Sequence, residues 1–199
     1  MARLFYAIPL PGEIRASIAD CAASHLPERL FRLVPRENIH ITIAFLGERN
    51  ETEMHRASSL LDATGLSVAA SGSPPGREAL HLTLGTVGAF PKIRDPRVVW
   101  IGVIQGQEEL TVTHGKLTAA LTEAGIEFDR KPFRPHLTIA YRRRKKGASP
   151  QSRDERAAAA QALENLRSAL SERQWSFPCP GVVLYESRLT GEGAIHRAL

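Results

Sequence analysis

Short runs of strand-like apolar patterning occur near the start of the chain and at five further places. Leu4–Leu10 is an apolar run closed by Pro11-Gly12 and predicts a first strand. Ile39–Leu46 and Pro135–Tyr141 are β-branched runs bounded by turn formers, and both predict strands. Ala79–Leu84, Val98–Val103 and Val182–Ser187 predict three more. Between them the period lengthens. Ile14, Ile18 and Cys21-Ala22 recur at helical spacing over Glu13–Ala23, and Pro27 ends that pattern. Glu51–Ala63, Gln107–Ala124 and Asp154–Arg173 predict three further helices. Ser71–Gly76 and Gly85–Pro96 are expected as connections, Arg142–Arg153 as a charged loop, and Gly191–Gly193 as a final turn.

The order strand, helix, strand, helix occurs twice, with related strands near the middle of each half. Each of those strands carries a His-x-Thr-apolar segment: His40-Ile41-Thr42-Ile43 and His136-Leu137-Thr138-Ile139. The expected architecture is one domain over residues 1–199, built as a pseudo-symmetric pair of lobes around a cleft.

Side chains two apart on a strand share a face. Each motif therefore presents an imidazole beside a hydroxyl. Histidine changes charge near neutral pH, and two facing imidazoles can take a proton on one side of a phosphorus and give one on the other. The threonine hydroxyls suit the non-bridging oxygens, where charge grows in the transition state. Arg134, two residues before His136, offers a bidentate grip on phosphate. Asn38 holds the matching place in the first half and offers an amide. A third copy, His81-Leu82-Thr83-Leu84, has Ala79 where a polar anchor is expected, and it reads as a sheet segment. His25, His55, His114 and His196 read as surface or cap residues. Which imidazole is acid and which is base stays open on this reading.

Composition narrows the partners. The chain has 199 residues, 43% of them hydrophobic, and a formal net charge of +5, which favours a polyanion. Two cysteines exclude a disulfide framework. The first apolar run is too short for a signal peptide and no run reaches membrane-spanning length, so a cytoplasmic protein without a membrane partner is expected. His-x-x-x-His, Walker-type glycine loops and Gly-x-Ser-x-Gly are missing from the sequence, so neither a metal nor a cofactor is expected. The basic run Arg142–Lys146 offers either a solvated loop or a contact to an RNA backbone. Phe90 and Trp100 offer stacking or packing.

The flanking segments add a resemblance. Arg3–Leu10, Val34–Thr42 with Phe45-Leu46-Gly47, Gly88–Pro91, Pro132–Thr138 and Leu184–Ser187 follow one another as in the two-histidine phosphoesterases. More narrowly, they resemble the RNA 2′,3′-cyclic phosphodiesterases, also called bacterial 2′-5′ RNA ligases. The resemblance implies an α+β fold of two pseudo-twofold-related lobes, each an antiparallel sheet with helices outside, lining a central cleft. It implies metal-free hydrolysis of an RNA 2′,3′-cyclic phosphate to a 2′-phosphate. His40 would be the proton donor to the leaving 3′ oxygen and His136 the proton acceptor from water. Thr42, Thr138 and Arg134 would hold the phosphate. Phe90, Tyr141 and Arg142 are the further expected substrate contacts. The family often has arginine three residues after the second threonine, where this chain has Tyr141. The implied partner is an RNA or oligonucleotide ending in a cyclic phosphate, tRNA fragments included, met by a monomer without an obligate protein partner. Ligation, a small cyclic nucleotide as substrate, and non-catalytic RNA binding remain as alternatives.

Overall fold

Leu4, Phe5, Tyr6, Ala7 and Ile8 are all buried, so the first strand is covered on both faces and sits inside the sheet. The computed structural model describes residues 1–67, 80–143, 153–191 and 193–199. The expected loop Ser71–Gly76, the residues Ala79, Arg144, Lys145 and Lys146, and Glu192 lie outside the described residues. The strands are β1 (Ala2–Pro9), β2 (Phe31–Leu33), β3 (His40–Arg49), β4 (His81–Lys92), β5 (Asp95–Gln105), β6 (His136–Arg142), β7 (Trp175–Pro178), β8 (Val183–Thr190) and β9 (Gly193–Ala198). The helices are α1 (Gly12–His25), α2 (Glu51–Ala63), α3 (Gln107–Glu123) and α4 (Arg153–Ala169). Among the described residues no helix is long and apolar enough to cross a membrane.

The fold is α+β, with one curled antiparallel sheet. Its strand order is β7-β4-β5-β6-β3-β1-β8-β9, and β2 pairs β6. The two His-x-Thr strands lie side by side at the centre. Among the described residues, Ile41 and Leu137 are the only pair between β3 and β6, so two halves of the sheet meet at a narrow seam. The helices do not stay with the strands they follow. α1 and α4 back the half that contains β4, β5 and β6, while α2 and α3 pack against β1, β3 and β8. The repeat along the sequence is therefore interleaved in space, with α1 crossing to the far half and α3 crossing back. Tyr6, fully buried on β1, donates its hydroxyl to the Ala57 carbonyl at 2.8 Å and pins α2 to the sheet. A capping box starts α2: Asn50 Oδ1 accepts from Glu53 N–H at 2.9 Å, and Glu53 Oε2 accepts from Asn50 N–H at 3.0 Å.

Several boundaries differ from the sequence reading. Gly85–Pro96 is not a connection: β4 and β5 run through it as one long hairpin. Its glycines allow close packing of Trp100 over Gly88 where larger residues would not fit. α4 stops at Ala169, earlier than the alanine-rich pattern suggests. β2, β7 and β9 are short or polar and lack a periodic signal of their own.

Candidate active site

The seam builds the site. Ile41 pairs antiparallel with Leu137, which sets His40 across from Thr138 and Thr42 across from His136, all four on one face. Ile41 and Leu137 themselves point into the core and are fully buried. One residue beyond each threonine the ladder breaks in the same way. On β3 the partners jump from Thr42 to Ala44, leaving Ile43 as the extra residue. On β6 they jump from Thr138 to Ala140, leaving Ile139. Each bulge reverses the alternation that follows it. Ala44 and Ala140 turn inward and are buried, and Phe45 and Tyr141 turn outward, 49% and 39% exposed. Phe45 and Tyr141 are thus equivalent positions of the two halves, on the same side as the histidines.

Both imidazoles are held by the same device. His40 Nδ1 lies 2.7 Å from the Asn38 carbonyl, and His136 Nδ1 lies 2.6 Å from the Arg134 carbonyl. A carbonyl only accepts, so each Nδ1 carries the hydrogen and each neutral ring keeps a bare Nε2. Thr42 Oγ1 is 3.0 Å from His40 Nε2 and donates to it when the ring is neutral. The carbonyl two residues upstream therefore fixes tautomer and ring plane in both halves.

The two rings differ in their surroundings. His40 stacks on Phe5, with ring centroids 4.8 Å apart, and Phe5 stacks in turn on Tyr185 at 5.4 Å. Burial in this aromatic wall pushes the His40 pKa down to about 4; the Asn38 carbonyl opposes the shift, and the charges of His196 and His136 add to it. His136 meets Phe90 and Trp100 edge-on, at 5.2 and 6.0 Å. Phe90 and Trp100 thus form the wall behind the second histidine.

The other expected residues separate into two groups. Arg134 borders a cavity of 520 Å³ together with Thr42, Phe45, Phe90, Phe133 and His136. Tyr141 lies on the open face, with the Arg32 guanidinium 5.2 Å from its ring centroid. Arg142 is not brought to the histidines. The Ile139 bulge turns it inward, where it donates to the Glu155 carbonyl at 2.6 Å and lies 5.5 Å from the Phe31 ring centroid. The expectation that Arg142 contacts substrate is corrected on that ground. Asn38 also departs from its expected use. Its side chain is buried and donates through Nδ2 to the Ala194 carbonyl at 2.5 Å, so it ties β9 to the site rather than facing an anion. Thr83 of the third motif is buried against Gln105 Oε1 and Ser176 Oγ, at 2.9 Å each, on β4, two strands from β6.

The structure adds residues that the sequence reading passed over. His196, taken for a surface residue, packs edge-on against His40 at 5.4 Å. Phe5 and Tyr185 lie within segments of the resemblance, but nothing local in the sequence marks their rings as neighbours of His40. His114 stacks flat on Phe133, 4.4 Å between centroids, at the far end of the cavity. Among the described residues no group of three or more histidine, cysteine or acidic side chains is arranged to hold a metal ion.

Residues 10–189 match the family model described as the 2′-5′ RNA ligase superfamily. The chain belongs to that superfamily. Among its curated members, the RNA 2′,3′-cyclic phosphodiesterase of Escherichia coli is 36% identical over 137 residues, 69% of this chain and 70% of that protein. The RNA 2′,3′-cyclic phosphodiesterase of Thermus thermophilus is 29% identical over 202 residues, 99% of this chain and 87% of that one. The superfamily fold agrees as well. The crystal structure of Escherichia coli LigT complexed with 3′-AMP superposes with a TM-score of 0.70 at 27% identity, covering all of this chain and 95% of LigT. A Thermus thermophilus crystal structure gives 0.70 at 26% identity, covering 99% and 94%.

Proposed function

We propose that this chain hydrolyses RNA 2′,3′-cyclic phosphate ends to 2′-phosphates, with His40 and His136 as the proton-transfer pair. The observation that carries the reading is the repeated tether. Both imidazoles give Nδ1–H to the carbonyl two residues upstream, which leaves two Nε2 atoms for chemistry on one face of the seam. A pure binding surface has no need of two rings held in one tautomer. A cyclic phosphate in the cleft would place the attacking water and the leaving 3′ oxygen on opposite sides of phosphorus. His136 takes the proton of water as the new P–O bond forms. His40 gives its proton to the 3′ oxygen as that P–O bond breaks. Thr42, Thr138 and Arg134 hold the non-bridging oxygens. The cavity continues past Phe45 to the Phe133–His114 stack and Lys131, leaving room for the nucleoside. One chain supplies both motifs, so the reading needs no partner subunit and treats residues 1–199 as a single bilobal unit.

The division of roles has a consequence. Burial keeps His40 neutral in the ligand-free chain, so an acid role requires the ring to take up a proton from solvent as the anionic substrate binds. A phosphate anion beside the ring offsets the burial and favours the charged form. The same pair with a 5′-hydroxyl in place of water would open the cyclic phosphate into a 2′-5′ bond, His136 taking the hydroxyl proton and His40 protonating the leaving 3′ oxygen. The name of the matching superfamily keeps that reaction as the second reading.

The test is incubation with an oligoribonucleotide ending in 2′,3′-cyclic phosphate, in EDTA, with and without an excess of a 5′-hydroxyl strand. The expected product is the 2′-phosphate, in either case. A 3′-phosphate product, or no turnover, would refute the assignment, and a 2′-5′-joined strand as main product would favour the second reading.

A further inference from the structure

We propose that His196 is a positioning residue for His40, a third imidazole that holds the first catalytic ring from the side. This rests on the proposed role of His40. Three rings make the argument. Phe5 and His40 stack at 4.8 Å, and His196 stands near-perpendicular to both, 4.9 Å from Phe5 and 5.4 Å from His40. Almost equidistant from two stacked rings, His196 lies beside the stack rather than on top of it. The other constraints on His40 are Asn38 at Nδ1 and Thr42 at Nε2. His196 therefore closes the side of the ring that neither hydrogen bond controls, and limits its rotation out of the plane that points Nε2 at the cleft.

The placement of His196 is itself tied to the site. Asn38 offers its backbone carbonyl to His40 and its side-chain amide to Ala194, two residues before His196. One residue thus sets both rings. His196 Nδ1 is buried without a hydrogen-bond partner among the described residues, an arrangement that packing alone would fill better with an apolar ring.

The charges around the pair leave His196 and His40 to act on each other. Opposite His196 on β8 is Ser187. The carboxylate of the preceding residue, Glu186, is taken by Arg188 at 2.9 Å and Arg197 at 3.4 Å, on the other face of the hairpin. Tyr185 shares the aromatic wall, and His136 faces His40 from β6. Burial lowers the pKa of His196 as well. A protonated His196 repels a protonated His40, so a neutral His196 makes His40 easier to charge.

The experiment compares His196→Ala and His196→Phe with wild type by steady-state kinetics on a cyclic-phosphate oligoribonucleotide, and by NMR titration of the His40 ring. His196→Ala is expected to lower kcat roughly tenfold, short of the ~10²-fold cost of a 1 Å misplacement, with KM within about twofold. His196→Phe, which restores a ring, should recover most of that loss. Both should raise the His40 titration midpoint; in His196→Phe, which keeps the ring buried, a purely structural role would leave it in place. Should His196→Ala fail to fold, the midpoint in His196→Phe carries the test alone. An unchanged His40 midpoint in both variants, or an unchanged kcat in a folded His196→Ala, overturns the proposal. Loss of function in His40→Ala without any effect at His196 refutes the positioning role alone. Full activity of His40→Ala refutes the underlying assignment.

Discussion

Lowering the pH tests the buried state of His40 directly. Folding moves the His40 pKa from an ordinary 6.5 to about 4, because the ring loses water against Phe5 and Tyr185. Between those values the unfolded chain binds a proton at this site that the folded chain refuses. Stability therefore rises with pH across the window. Above pH 6.5 the site contributes nothing to the slope. As pH falls from 6.5 to 4 the folded state loses up to about 3 kcal/mol, at about 1.4 kcal/mol per pH unit. His40→Phe keeps the stack on Phe5 and removes the titration. Urea unfolding of both proteins at intervals from about pH 4 to 7.5 isolates the effect. The variant should gain on wild type steadily below pH 6.5 and run parallel above it. A difference that stays flat across the range, or an NMR midpoint for His40 near the ordinary 6.5, would refute the reasoning. Adding inorganic phosphate should raise that midpoint, since an anion in the cleft favours the imidazolium.

Three substitutions probe the supports of the site. Gly88→Ala sets a methyl into the indole of Trp100, which backs His136. It should cost about 1–3 kcal/mol in urea unfolding and lower kcat as well; a neutral result in both would show that Trp100 does not brace the ring. Tyr6→Phe removes the hydroxyl that ties the sheet to the Ala57 carbonyl of α2, and a loss of about 1 kcal/mol in thermal or urea unfolding is expected, with kcat/KM unchanged. Asn38→Ala removes the amide from the Ala194 carbonyl while sparing the backbone tether of His40. It should cost about 1–3 kcal/mol and loosen β9, seen as faster hydrogen exchange at Ala194 and His196.

The two His-x-Thr strands were legible in the sequence because each joins a β-branched run to a chemically unusual residue pair. Arg134 was legible for the same reason, standing two residues ahead of a strand histidine. The bulges at Ile43 and Ile139 were not, since an extra residue in an apolar run looks like continuous burial. Their consequence is large: they place Phe45 and Tyr141 in the open and turn Arg142 under α4. Asn38 shows a different limit. Its position matches Arg134, but a short buried amide reaches a backbone carbonyl that arrives from residue 194, a contact across 156 residues. His196 was invisible for the same reason: β9 is brief and polar and pairs with β8, two strands from β1 and three from β3, so it is the curl of the sheet that brings its ring to Phe5 and His40. The crossing of α1 and α3 between halves likewise depends on long-range packing.

The central claim is that two histidines, one from each half of the seam, transfer protons in a single displacement at phosphorus. Its most direct test is kcat/KM on an oligoribonucleotide 2′,3′-cyclic phosphate for His40→Ala, His136→Ala and the double variant, each confirmed as folded. Each single change should cost roughly 10²–10⁴-fold, and the double variant should lose far less than the product of the two, because residues acting as a unit are non-additive. Near-wild-type turnover in either single variant, or losses that multiply fully, would contradict the paired-histidine account.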